Sequence, residues 1–167
     1  MAFVGRFDEV KNIDYIIRTM LLLPEKWQLS LVGAGPEAVK LIELVSSNHL
    51  KNRVRFLGWK ENPWEELTEC GLLVMASDSE GSSLVVLEAL NCGMGVISTP
   101  VGMATRIIEN GKNGYIYKLE DEYSLSNLLL SDEMSLCDAE YCRCSVKEYS
   151  IDITGKQFLN VIEEIKI

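Results

Sequence analysis

The sequence predicts an α/β fold: three layers, α/β/α, built on a mostly parallel sheet, in a single domain covering residues 1–167. Three observations carry that prediction. Short apolar runs alternate with segments whose apolar residues recur every three or four positions, the repeated signature of strand then helix. The runs are apolar throughout, so neither face of the sheet is left to water, as in parallel sheets covered on both sides. Finally, 167 residues with 47% apolar and 25% charged side chains suit one globular domain of ~100–200 residues.

The elements follow in order. Ala2-Phe3-Val4 reads as a strand stopped by Gly5, and from Asn12, a good N-cap residue, Ile13, Ile16, Ile17, Met20 and Leu21 fall on one helical stripe. Trp27 to Val32 is a second strand, and Pro36 opens a helix with Ala38, Leu41, Ile42 and Val45 on one face. Arg53 to Leu57 is a third strand. Asn62-Pro63-Trp64-Glu65 carries an N-cap, Pro at N1 and Glu at N3, so a capping box starts a short helix to about Cys70. Leu72 to Met75 is a fourth strand, and the polar loop Ser77–Ser83 leads into a helix from Leu84 to Asn91 that stops at Gly93. A strand at Val96–Ser98, a short helix near Ala104–Glu109, a turn at Asn110–Gly114 and a strand at Tyr115–Tyr117 come next. From there the chain reads as helical to Ile167.

Composition excludes several classes of function. The 16 Lys and Arg residues against 25 Asp and Glu leave a net charge of −9, which repels a nucleic-acid backbone over most of the surface. No apolar run reaches the roughly 18–20 residues of a membrane span, and Met1-Ala2-Phe3-Val4-Gly5 is no basic leader, so a cytoplasmic protein is expected. Cys70, Cys92, Cys137, Cys142 and Cys144 are odd in number, without a CxxC pair or a nearby histidine. Reduced thiols are expected, and no metal site. The lone His49 lies on a helix-to-strand connection and reads as a surface residue.

In open parallel sheets ligands bind where strands end and loops enter helices, which directs attention to Gly5–Lys11, Gly33–Glu37, Gly58–Asn62 and Ser77–Ser83. Gly81, Ser82 and Ser83 stand where a helix begins, so free backbone amides, the positive end of the helix dipole and two hydroxyls converge on an anion-sized space. Glu80 precedes this turn and Glu88 follows about two turns on, up to ~12 Å away at 1.5 Å per residue. Two such carboxylates can hold the hydroxyls of two sugar rings flanking a pyrophosphate. In the first loop Arg6 offers a bidentate guanidinium and Lys11 a point charge, a pair suited to a diphosphate. Plainer readings stand beside these: a serine that only caps, and cations that only pair with Asp8 and Glu9.

Taken together the motifs resemble a family. Gly5-Arg6 with Lys11, Val32-Gly33-Ala34-Gly35-Pro36, Val54-Arg55-Phe56-Leu57-Gly58, Ser77 with Glu80-Gly81 and Glu88-Ala89, Gly93 with Val96-Ile97, and Asn110-Gly111 with Gly114 are similar to the ordered signatures of retaining GT-B glycosyltransferases of family 4. Gly58-Trp59-Lys60-Glu61-Asn62-Pro63-Trp64 is similar to bacterial enzymes that glycosylate lipopolysaccharide core. The resemblance implies the Rossmann-like carboxyl-terminal, donor-binding domain of such an enzyme. Arg6 and Lys11 would bind the diphosphate and neutralise the leaving group, Glu80 would hold the donor sugar and Glu88 the ribose. Backbone at Gly5 and at Gly81, Ser82, Ser83 and Leu84 would support phosphate and sugar, and Leu57, Gly58 and Trp59 would line the base.

The family transfers a hexose from a nucleotide-sugar, here favouring UDP, with retention by front-side attack and without a metal or other cofactor. The acceptor, a glycan or lipopolysaccharide, would be held by a missing amino-terminal domain. The full-length enzyme would work in the cytoplasm, with peripheral association at the inner face of the cytoplasmic membrane open to it, and with no nucleic-acid partner. This chain alone would bind nucleotide and transfer nothing. A final helix over residues 151–167, with Phe158, Val161, Ile162 and Ile165 aligned, would pack on the absent domain. Two departures from the family pattern are Gly93-Met94-Gly95, and Gly102-Met103-Ala104-Thr105-Arg106, where a base replaces an acid.

Other readings remain open on sequence alone. Gly33-Ala34-Gly35-Pro36-Glu37-Ala38 satisfies the G-x-G-x-x-A pattern of an NAD(P)-dependent oxidoreductase, although in the second strand–helix unit and without an acid about 20 residues on. Asp78-Ser79-Glu80 is similar to the acidic motif of metal-dependent transferases. A sugar-nucleotide epimerase or a non-catalytic sugar-nucleotide binder would share the fold.

Overall fold

The computed structural model describes residues 1–81, 83–131, 137–150 and 153. Six strands, β1 (Ala2–Val4), β2 (Leu29–Val32), β3 (Val54–Gly58), β4 (Leu72–Met75), β5 (Gly95–Ser98) and β6 (Gly114–Ile116), form one sheet. Its order is β3-β2-β1-β4-β5-β6, every recorded pairing being parallel. The chain therefore builds outward from β1 in one direction, returns, and builds outward in the other. The reversal lies between β1 and β4, and there the loops leaving the two strand ends diverge to open a crevice.

Two apolar cores cover the two faces. Alternate strand residues such as Phe3, Leu29, Leu31, Val74 and Ile97 pack with α1 (Ile13–Thr19), α2 (Ala38–Ser47) and α5 (Ser124–Leu130). Ala2, Val32, Leu73, Met75 and Val96 pack with α3 (Leu84–Asn91), α4 (Ala104–Ile107) and α6 (Ala139–Ser145). Successive strand side chains point to opposite faces, so strands buried on both sides, such as the fully buried β4 and β5, read as unbroken apolar runs.

The structure corrects four local expectations. Asn12 does not cap α1 with its side chain; it is left-handed, φ 48°, and turns its amide elsewhere. Ile42 is exposed, while Leu41 and Val45 carry the buried face of α2. The capping box at Asn62 does not form: Asn62 Nδ2 donates to the Glu65 carboxylate itself, 2.8 Å, and Pro63–Leu67 is a 3-10 turn. Among the described residues after Tyr117 the chain forms not one helical stretch but α5, α6 and a 3-10 turn at Lys147–Tyr149. Ser82 and the aligned apolar residues Phe158, Val161, Ile162 and Ile165 lie outside the described residues.

Candidate functional site

The glycines after β2 shape the floor of the crevice. A Cβ at Gly33 would collide with the carbonyl oxygen of Gly5, and one at Gly35 with the backbone of Phe7. Only residues without a side chain let the second loop lie flat against the first, where Gly5 N donates to Val32 O at 3.0 Å and Phe7 N to Ala34 O at 2.9 Å. The G-x-G pattern is thus explained by loop-on-loop packing, which fixes the backbone leading to Arg6 and Lys11.

Across the reversal of strand order, Lys11 Nζ donates to Glu80 Oε1 at 2.6 Å, and Ser77 Oγ donates to the same oxygen at 2.8 Å. Both side chains of the ion pair are mostly buried, 21% exposed for Lys11 and 13% for Glu80. Arg6 is free to reach a ligand: its side chain is 73% exposed and its nearest acid, Asp8, stands 4.0 Å away. Ser83 closes the far side in a left-handed conformation, φ 46°, at the entry of α3. It is buried, and its hydroxyl oxygen has no hydrogen-bond partner. An unmade hydrogen bond of this kind costs stability, and here it lies beside the Leu84 and Val85 amides at the start of α3, which have no carbonyl one turn back.

These groups surround one cleft of about 480 Å³, lined among others by Gly5, Arg6, Lys11, Glu80, Gly81, Ser83 and Leu84. A second hollow of about 570 Å³ shares Val4, Gly5 and Arg6 with it and extends over Gly33, Ala34 and Gly35 to Trp59, Lys60 and Pro63. Trp59 is 72% exposed, a large apolar ring with one side open. The Gly58 carbonyl accepts from Gly33 N at 2.8 Å, and Leu57 packs into the core rather than lining either hollow.

Of the residues singled out from sequence, Gly5, Arg6, Lys11, Glu80, Gly81, Ser83 and Leu84 come together in the cleft, and Trp59 stands on the adjoining hollow. Glu88 does not line that cleft. It is exposed on α3, one turn past the exposed Leu84, beside a separate hollow formed with Asn91, Val146 and Tyr149. The sequence does not single out Thr99, and it names Asn12 as a helix cap, Ser77 in a motif and Gly102 in a departure from the family pattern without the contacts they make here. Ser77 holds Glu80; Thr99 Oγ1 donates to Ser77 O at 2.6 Å; and a Cβ at Gly102 would come within 2.6 Å of Gly81 O. Thr99 and Gly102 lie after β5 and meet the Ser77–Ser83 loop only in the folded chain.

The profile of the group 1 glycosyl transferases matches residues 1–134. The chain is 32% identical over 154 residues to an N-acetyl-alpha-D-glucosaminyl L-malate synthase of Bacillus anthracis, covering 89% of this chain and 40% of that one. It is 31% identical over 118 residues to a lipopolysaccharide core biosynthesis glycosyltransferase of Rhizobium meliloti, covering 71% and 34%. Among solved structures, Anabaena HepE in complex with UDP superposes with a TM-score of 0.87 at 21% identity, over 98% of this chain and 48% of that one. A lipopolysaccharide outer core galactosyltransferase in its apo form gives 0.82 at 23%, again over 98% and 48%. The chain thus spans less than half the length of these relatives. With the profile covering most of its residues, the chain belongs to the group 1 glycosyl transferases.

Proposed function

We propose that this chain is the carboxyl-terminal, donor-binding half of a retaining GT-B enzyme of family 4 that moves a hexose from a UDP-sugar to a glycan or lipopolysaccharide acceptor. The observation that carries the reading is the single cleft in which Arg6, Lys11, Glu80 and the unpartnered Ser83 hydroxyl converge at the mouth of α3. A diphosphate there accepts from Arg6, from Lys11 and from the free amides of α3. Glu80, released from Lys11, accepts from hexose hydroxyls. The base lies toward Trp59 in the adjoining hollow, and the ribose reaches past Leu84 to Glu88. The UDP and UDP-glucose bound to HepE support a uridine nucleotide.

In the transfer step the bond between the anomeric carbon and the diphosphate oxygen breaks. The acceptor oxygen bonds to that carbon on the same face, and its proton passes to the departing phosphate. Charge grows on the leaving group as the bond breaks, and the Arg6 and Lys11 cations stabilise it. No metal is needed in this scheme. The acids of Asp78-Ser79-Glu80 support that: Asp78 accepts from Asn12, and Glu80 from Lys11 and Ser77.

The test is a thermal-shift and calorimetric panel of UDP, GDP and ADP sugars on the wild-type chain, with and without EDTA, and on Arg6→Ala and Glu88→Ala. UDP compounds should bind best, EDTA should change nothing, and each substitution should weaken binding by about 1–3 kcal/mol. NADH binding in place of UDP, or sugar transfer by this chain alone, would overturn the reading.

A further inference from the structure

We infer that Asn12 is a positioning residue, a clamp across the reversal of strand order that sets Lys11 against Glu80. The inference rests on the proposed donor site. Between β1 and β4 the strand pairing recorded is at Ala2 and Leu73; the loops that carry Lys11 and Glu80 leave beyond the strand ends, where the sheet no longer holds them in register. Asn12 supplies that register. Its Nδ2 donates to Ala76 O at 3.0 Å and to Asp78 Oδ1 at 2.8 Å, while Asp78 N donates back to Val10 O at 2.9 Å. Both amide hydrogens are therefore spent on the opposite loop and none on capping α1.

The surroundings make the clamp rigid on the β4 side. Ala76 and Ser77 are buried, and Thr99, also buried, holds Ser77 O. The three bonds bracket Lys11, which lies between Val10 and Asn12, and they end two residues short of Glu80. The left-handed backbone of Asn12, φ 48° and ψ 43°, aims the side chain across the crevice. Asparagine tolerates that conformation better than other residues with a side chain, but glycine would suit the backbone as well. Glycine has no amide to make the bridge, which separates a positioning role from a turn-forming one.

UDP is titrated calorimetrically into the wild-type chain, Asn12→Gly, Asn12→Asp, and Asn12→Asp with Asp78→Asn, with the melting temperature of each ligand-free protein as a check on folding. Asn12→Gly should bind UDP about tenfold more weakly while still melting in one cooperative transition, its midpoint lowered by a few degrees. Asn12→Asp, which faces two acceptors with a carboxylate, should bind more weakly still. The double variant restores one hydrogen bond with its direction reversed, the new amide at position 78 donating to the new carboxylate at position 12. It should recover at least the affinity of Asn12→Gly. Asp78→Ala, which leaves the backbone at Asn12 untouched, should lose about threefold and serves if Asn12→Gly does not fold. Affinity within twofold of wild type in Asn12→Gly, or in Asp78→Ala where that serves in its place, or no recovery in the double variant, would overturn the clamp. A folded wild-type chain that binds no UDP would instead overturn the donor-site reading, and the clamp with it.

Discussion

Gly102 shows how tightly the Glu80 loop is held. Its backbone is left-handed, φ +53°, and a Cβ there would lie 2.6 Å from Gly81 O and 2.7 Å from Ser83 Oγ. Both neighbours belong to the wall of the cleft, so a methyl group at Gly102 must push the turn that leads into α3. Gly102→Ala should cost about 1–3 kcal/mol of stability from backbone strain and overlap, measured by urea denaturation, and should weaken UDP binding. A variant of wild-type stability that also binds UDP normally would show that the wall yields freely. Lys11 and Glu80 are legible in the sequence because charge in a loop after a strand is conspicuous. Gly102, Ser77 and Asn12 are not, because their roles depend on contacts with loops that are distant in the sequence. The spacing of Glu80 and Glu88 is only partly helical: α3 starts at Leu84, so the helical rise applies from Leu84 onward and not to the loop residues before it.

Among the elements, α3 and β4 follow the sequence residue for residue, since a continuous apolar run flanked by a polar loop and a glycine has few other solutions. The helical faces are less legible. An i, i+3, i+4 pattern marks a stripe wide enough to include Ile42, which the packing of α2 leaves outside. The same problem affects α6, short and late in the chain, where two cysteines two residues apart report its docking. Cys144 is exposed, whereas Cys142 is fully buried against the core beneath α3. Burial pushes the Cys142 thiol up to about 11, helped by the neighbouring Cys137 and Asp138. A raised pKa keeps the thiol protonated and unreactive at neutral pH. Maleimide should therefore label Cys144 at once at pH 8. Cys142 should react about 100-fold more slowly, since its thiolate fraction there is on the order of one in a thousand. Its rate should climb as pH rises toward 11. Equal labelling of the two cysteines, followed by mass spectrometry, would mean that α6 is not seated on α3.

At the scale of the whole molecule the sheet order accounts for both the fold and the place of the site. One reversal between β1 and β4 leaves one crevice, lined by Gly5, Arg6 and Lys11 of the loop after β1 and by Glu80, Gly81 and Ser83 of the loop after β4. The crevice is assembled from segments some 70 residues apart, so it exists only in the folded state, and a ligand that binds there must stabilise the entire domain. If one site binds UDP and the unfolded chain does not, stability should rise by about 2.7 kcal/mol at 100 times the dissociation constant. For a domain of this size, that corresponds to about 5–11 °C in melting temperature. The increment should grow with the logarithm of UDP concentration, and in Arg6→Ala at the same concentration it should fall to about 0.3–1.8 kcal/mol, as a 1–3 kcal/mol loss of binding requires. Differential scanning calorimetry across a hundredfold range of UDP tests this. A shift that saturates would mean that the unfolded chain also binds UDP, and one that persists unchanged without Arg6 would place the ligand somewhere other than the crevice between β1 and β4.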